Sequence, residues 1–139
     1  MISQNIEQDK LINPGNEIST GGTEDLYVIL EDMNSACRDI QLSMLTTADG
    51  LIMTAVGTVL DPGQVGAMCT ELITVCHKAA KQLEQGELEQ MIIRCSEGCM
   101  FLMPAGEFAV LAIMCVPDIN LGLLILEAQR SASLIQNSL

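Results

Sequence analysis

The sequence predicts an α+β domain whose elements run α-β-β-α-β-β-β-α. Three observations carry that expectation. Strand-like segments with turn signals fall into two separate groups, one around Asp49-Gly50 and one around Ser96-Glu97-Gly98. Between them a long segment, opened by Asp61-Pro62, repeats apolar residues at helical spacing. Two further apolar stripes follow good capping residues, Thr23 near the start and Asn120 near the end.

Residues 1–22 are polar and end in Thr20-Gly21-Gly22, which reads as a disordered N-terminal tail before a domain over residues 23–139. Thr23 is the expected N-cap of the first helix, with Glu24 and Asp25 in its first turn. Leu26, Ile29, Leu30 and Met33 form its apolar stripe, and it should end before Arg38-Asp39. Ile40, Leu42 and Met44 alternate with polar residues as a first strand. Asp49-Gly50 then turns the chain into a second strand over residues 51–56.

Proline is tolerated in the first turn of a helix, so Asp61-Pro62 opens the second. Val65, Met68, Cys69, Leu72, Cys76, Ala79, Ala80 and Leu83 make one broad stripe along it as far as Gly86. A third strand is expected over residues 89–94, a three-residue loop at Ser96-Glu97-Gly98, and a fourth strand over residues 99–103. After a turn at Pro104-Ala105-Gly106, residues 108–116 are apolar at every position. Such a strand belongs in the middle of a sheet, covered on both faces. Asn120 caps the last helix, in which Leu121, Leu124, Ile125, Ala128 and Ile135 share a face.

Length and composition narrow the function. A chain of 139 residues fits one domain with a real core. Its net charge of −12, from 18 acidic and 6 basic residues, repels phosphate backbones and anionic lipid, so neither nucleic acid nor direct membrane insertion is expected. The longest apolar run, residues 108–116, is too short to span a bilayer. Residues 1–20 carry Glu7, Asp9 and Glu17 without an apolar stretch, so they do not read as a signal peptide, and the cytoplasm is the expected compartment. Trp is absent and there are only one Tyr and two Phe, which disfavours a stacking platform for bases.

Six cysteines suggest two readings. Packed in apolar segments without a signal peptide, they act as small buried hydrophobes. Alternatively Cys95 and Cys99, flanking a three-residue loop, face each other as a redox pair or half a metal site, with Cys69, Cys76 and His77 as further ligands. No nucleophile and orienting carboxylate accompany His77, and no phosphate-binding Gly-x-x-x-x-Gly-Lys-Ser/Thr loop exists. The residues therefore point to no catalytic site, no cofactor and no metal, and to a binding protein. The cysteine-based sensing or ligand-binding domain is the alternative.

Several motifs in order give the chain a family likeness. They are Asp49-Gly50-Leu51 after an apolar strand, Asp61-Pro62 opening the second helix, Gly86-x-Leu88, Leu102-x-Pro104-x-Gly106 between strands, and Asn120-Leu121-Gly122 at the final helix. Together they resemble the roadblock/dynein-light-chain domain, in its stand-alone prokaryotic form, over residues 23–139. The resemblance implies a five-stranded antiparallel sheet with the second helix on one face and the first and third on the other. It also implies a homodimer, paired through the third strand and second helix, that binds a small Ras-like GTPase as a scaffold or a regulator of GTP hydrolysis.

On that footing the expected dimer contact comprises Glu89, Met91, Ile92 and Ile93 of the third strand. The helix-two flank of Gly66, Thr70, Ile73 and His77 completes it. Thr70, Glu71, Thr74, Lys78 and Lys81 point away from the core stripe and are the expected GTPase contact. Leu123, Leu126 and Leu134 lie off the main stripe of the last helix and suggest a covered surface, expected to be a contact with helix one in preference to a partner site.

Overall fold

The computed structural model describes residues 21–139, with side chains from Asp25 onward. Its elements are α1 (Gly21–Ala36), β1 (Ile40–Thr47), β2 (Ile52–Val56), α2 (Pro62–Gln82), β3 (Met91–Cys95), β4 (Gly98–Pro104), β5 (Ala109–Cys115) and α3 (Leu121–Ser138). The strands form one antiparallel sheet in the order β2-β1-β5-β4-β3. β5 is the middle strand, as its unbroken apolar sequence requires, and all but one of its residues are buried.

Local chemistry explains the element ends. Asp61 takes a left-handed conformation (φ 50°) and its carboxylate accepts the Gln64 N–H, with Pro62 in the first turn. Asn120 caps α3 by accepting the Leu123 N–H at 3.2 Å. The β1–β2 turn closes through Gly50 at φ 98°, a conformation that glycine adopts without steric penalty.

The two faces of the sheet are covered unequally. α1 and α3 lie on one face, where eighteen buried residues form the main core around Leu30, Met33, Phe101, Leu111, Ile113 and Ile135. α2 lies on the other, over a small core of only five: Met44, Cys69, Leu102, Val110 and Ala112. Among the described residues no helix is long and apolar enough to cross a membrane.

The structure departs from the sequence expectations at several points. α1 is already helical at Gly21, so Thr23 lies inside it and is not its cap; residues 1–20 of the expected tail lie outside the described residues. In β1 the pairing with β5 shifts between Ile40 and Leu42, leaving Gln41 as an extra residue. This bulge puts Ile40 on the main-core face while Met44 reaches the α2 face, so the Ile40-Leu42-Met44 alternation is broken. Strand three begins at Met91, leaving Glu89 exposed in the preceding loop.

Leu123, Leu126 and Leu134 are partly to largely exposed and lie outside the main core. The inward face of α3 is built from Leu124, Ala128, Ala132 and Ile135, at a spacing that puts Leu123 and Leu134 on its flanks and Leu126 opposite it.

Candidate functional site

The small core under α2 marks the incomplete face of the subunit. A helix of 21 residues is about 31 Å long, at 1.5 Å per residue. Five strands span only about 19 Å from edge to edge, and the longest, the eight-residue β1, about 26 Å, so α2 is longer than the sheet both across and along its strands. Only Gly66 and Cys69 in it are buried. The expected stripe is therefore only partly covered. Val65, Leu72 and Ile73 pack partly on the small core, whereas Met68, Ala79 and Leu83 are exposed. Val75, which lies off that stripe, is 65% exposed.

β3 is the outermost strand on one side, and among the described residues its outer side has no strand partner. It pairs with β4 in unbroken register from Met91↔Leu102 to Cys95↔Gly98. Met91 and Ile93 are half-buried on the α2 face, with Met100 and Met114 beside them, and Ile92 lies on the other face opposite Phe101. A straight edge strand thus adjoins a half-covered apolar face. Edges of this kind are usually blunted, and here neither a bulge nor a proline does so.

The residues expected to touch a second subunit divide into two groups. Gly66 is buried within its own subunit: a Cβ there would overlap the carbonyl oxygen of Gly50. Thr70 is half-buried, its hydroxyl is enclosed without a hydrogen-bond partner, and a Cβ on Gly50 would stand 3.0 Å from it. Both belong to the contact between α2 and the β1–β2 turn, so Thr70 is also not on the outward surface expected for a GTPase. Ile73 and His77, on the same flank, are half-buried. Glu71, Thr74, Lys78 and Lys81 are exposed as expected, with Lys81 Nζ 3.1 Å from the Glu87 carboxylate.

The sequence of residues 17–114 matches the family described as the Roadblock/LC7 domain. The chain belongs to the Roadblock/LC7 family. Two uncharacterised proteins of Methanocaldococcus jannaschii are each 30% identical to it over 110 residues, covering 78% of this chain and 94% of theirs. Its fold is shared with the gliding protein MglB of Thermus thermophilus. There the TM-score is 0.79 at 14% identity, over 91% of this chain and 97% of that one. Myxococcus xanthus MglB gives 0.79 at 11% identity, over 88% and 92%. A Roadblock/LC7 domain from Streptomyces avermitilis gives 0.76 at 17%, over 81% and 96%.

The cysteines of this roadblock domain do not assemble as the alternative reading required. The β3–β4 hairpin turns through Ser96 and Glu97 alone, so Cys95 stands opposite Gly98, and Arg94 stands opposite Cys99. Cys95 is exposed while Cys99 is buried in the main core. Cys99 pairs instead with Cys115 across β4 and β5, and the Cys115 thiol donates to the Cys99 carbonyl at 3.3 Å. Burial, reinforced by the neighbouring Cys99, pushes the Cys115 thiol up to about 12. Burial also raises Cys37 and Cys69. Thiols held in the neutral form are poor nucleophiles and poor ligands. Among the described residues no three His, Cys, Asp or Glu side chains converge as a metal site.

Proposed function

We propose that this protein is a homodimeric roadblock-type regulator or scaffold of a small Ras-like GTPase carried on another chain, without catalytic activity of its own. The observation that carries the reading is the half-covered α2 face beside the straight, unpaired β3 edge. Joining two β3 strands about a two-fold axis extends the sheet from five strands to ten and brings a second α2 beside the first. The exposed flank of Met68, Val75 and Ala79, opposite the one held against Gly50, is then the side of α2 that meets its copy, with Met91, Ile92 and Ile93 at the strand contact.

The paired helices form a broad two-fold surface on which Glu71, Thr74, Lys78 and Lys81 are exposed, and this is the proposed GTPase contact. A contact of about 800 Å² per partner is ordinary for such a complex. The family resemblance and the MglB-like fold support the assignment of the partner class. With six basic residues in the chain and none on a catalytic loop motif, any stimulation of hydrolysis works by ordering the GTPase's own groups. The test is titration of the purified protein with a co-encoded small GTPase in its GDP state and with a non-hydrolysable GTP analogue, alongside light scattering. A folded dimer that binds neither state would overturn the reading.

A further inference from the structure

The sheet has a second free edge, on the side away from β3. Among the described residues β2 pairs with β1 alone. All five of its residues are half-buried, because both faces are covered: Met53 and Val56 pack against the main core, Ile52 and Ala55 against the small one. The strand is therefore shielded above and below but open along its hydrogen-bonding side. Beside it lie Glu31 and Asn34 of α1, at i and i+3, and Arg38 in the turn that follows the helix. With Asp32, Ser35 and Val56 they line an open depression of about 460 Å³. Tyr27, one turn earlier on α1 and close enough to Glu31 for that carboxylate to raise its pKa after burial has done so, is 41% exposed.

We propose that this groove takes an extended peptide segment of a partner protein, added as a sixth strand beside β2, with a basic side chain seated against Glu31 and Asp32. A strand added there lies about 4.8 Å beyond β2, and every second side chain points to the α1 side, into the depression. Backbone pairing supplies the affinity in this mode of recognition, and the flanking pocket supplies the choice of side chain. Two adjacent carboxylates in a chain of net charge −12 select a cation. Arg38, the one cation in the lining, stands in the turn beyond the end of α1, so the lining holds two carboxylates against one cation.

A second copy of this chain is a poorer occupant, because it brings the same negative charge to an acidic edge. The pairing with β1 passes from Leu45↔Thr54 to Thr46↔Ile52, so Met53 forms a bulge, and regular pairing is confined to Thr54–Val56 beside the depression. The ladder is short and the binding weak.

The test uses the full chain, isotope-labelled, titrated with three synthetic octapeptides. One alternates Val with Lys, one alternates Val with Glu, and one is the Lys peptide with a central Val replaced by Pro. The Lys peptide is expected to move the amide signals of residues 52–56 and 31–35 saturably. The Glu and Pro peptides should bind about tenfold more weakly or worse. The double variant Glu31→Lys, Asp32→Lys, on the exposed side of a helix, should reverse the preference towards the Glu peptide. Three results overturn the proposal. The first is no binding of the Lys peptide. The second is a response spread over the acidic surface, without the β2 amides and regardless of proline. The third is a β2 response that follows protein concentration instead of peptide, which assigns the edge to self-association.

Discussion

Gly66 in α2 and Gly50 in the β1–β2 turn meet backbone to backbone. A Cβ on Gly66 would overlap the Gly50 carbonyl oxygen, and one on Gly50 would stand 3.1 Å from the Gly66 carbonyl oxygen. This contact fixes the height of α2 over the sheet at its N-terminal end, next to the buried Cys69. The remainder of the helix runs on over the half-covered face. The smallness of Gly66, expected to admit a second subunit, serves the fold of its own subunit.

That contact sets two effects against each other in Gly66→Ala. Alanine favours a helix over glycine by about 1 kcal/mol. Displacing α2 from a backbone carbonyl costs about 1–3 kcal/mol. The overlap with a backbone carbonyl puts the cost toward the upper part of that range, so a net loss of up to about 2 kcal/mol is expected in urea denaturation. Gly63 has nothing within 4 Å of its would-be Cβ. Gly63→Ala should therefore be neutral or stabilising by up to about 1 kcal/mol. Equal effects at the two sites would remove the close contact from the account.

Val75→Asp tests the proposed dimer from the helix side. The side chain is 65% exposed in the subunit, so an isolated subunit should lose less than about 0.5 kcal/mol. A carboxylate placed against its own copy, by contrast, should convert dimer to monomer in light scattering. Ile92→Pro tests the strand side, since proline removes a backbone donor from β3. A well-folded dimer in both variants would show that neither element forms the contact.

Charge reversal at Lys78 and Lys81 together should weaken GTPase binding about tenfold while leaving the dimer and its melting temperature nearly unchanged. The Lys81–Glu87 pair is exposed on both sides, and such pairs contribute little to stability. Undiminished binding in the titration would move the contact off α2.

The buried thiols make stability depend on alkaline pH. Cys115 keeps its proton in the fold up to about 12, whereas an unfolded thiol releases it near 9.0. The unfolded state thus binds fewer protons in that window, and stability present below pH 9 is lost as pH rises through it. The slope is about 1.4 kcal/mol per pH unit while the Cys115 site remains intact. Denaturation at pH 8, 9 and 10 should show a shallower decline in Cys115→Ala. Identical slopes would exclude the thiol as the source. Iodoacetamide at pH 8 should label the exposed Cys95 first, and leave Cys99 and Cys115 untouched until the domain unfolds.

The features legible in the residues alone are those governed by local rules. Asp61-Pro62 and Asn120 start helices because capping is a contact within one turn. Asp49-Gly50 makes a hairpin because one residue must take a left-handed conformation. The unbroken apolar run of β5 shows that it is central, since only a strand covered on both sides tolerates it. Element order, the antiparallel sheet and the family follow from such signals taken in order.

Whatever depends on which distant surfaces meet came from the folded chain. One extra residue at Gln41 moved Ile40 to the opposite face from the one its alternation implied, because strand side chains have period two and a bulge resets the count. The direction of Gly66 and Thr70 depended on the position of the β1–β2 turn, which helical spacing cannot report. The α2 stripe looked uniformly apolar, yet only Gly66 and Cys69 are buried in a helix about 31 Å long, which exceeds the sheet both across and along its strands. That mismatch of lengths, invisible residue by residue, leaves the open face on which the proposed partnership of this domain rests.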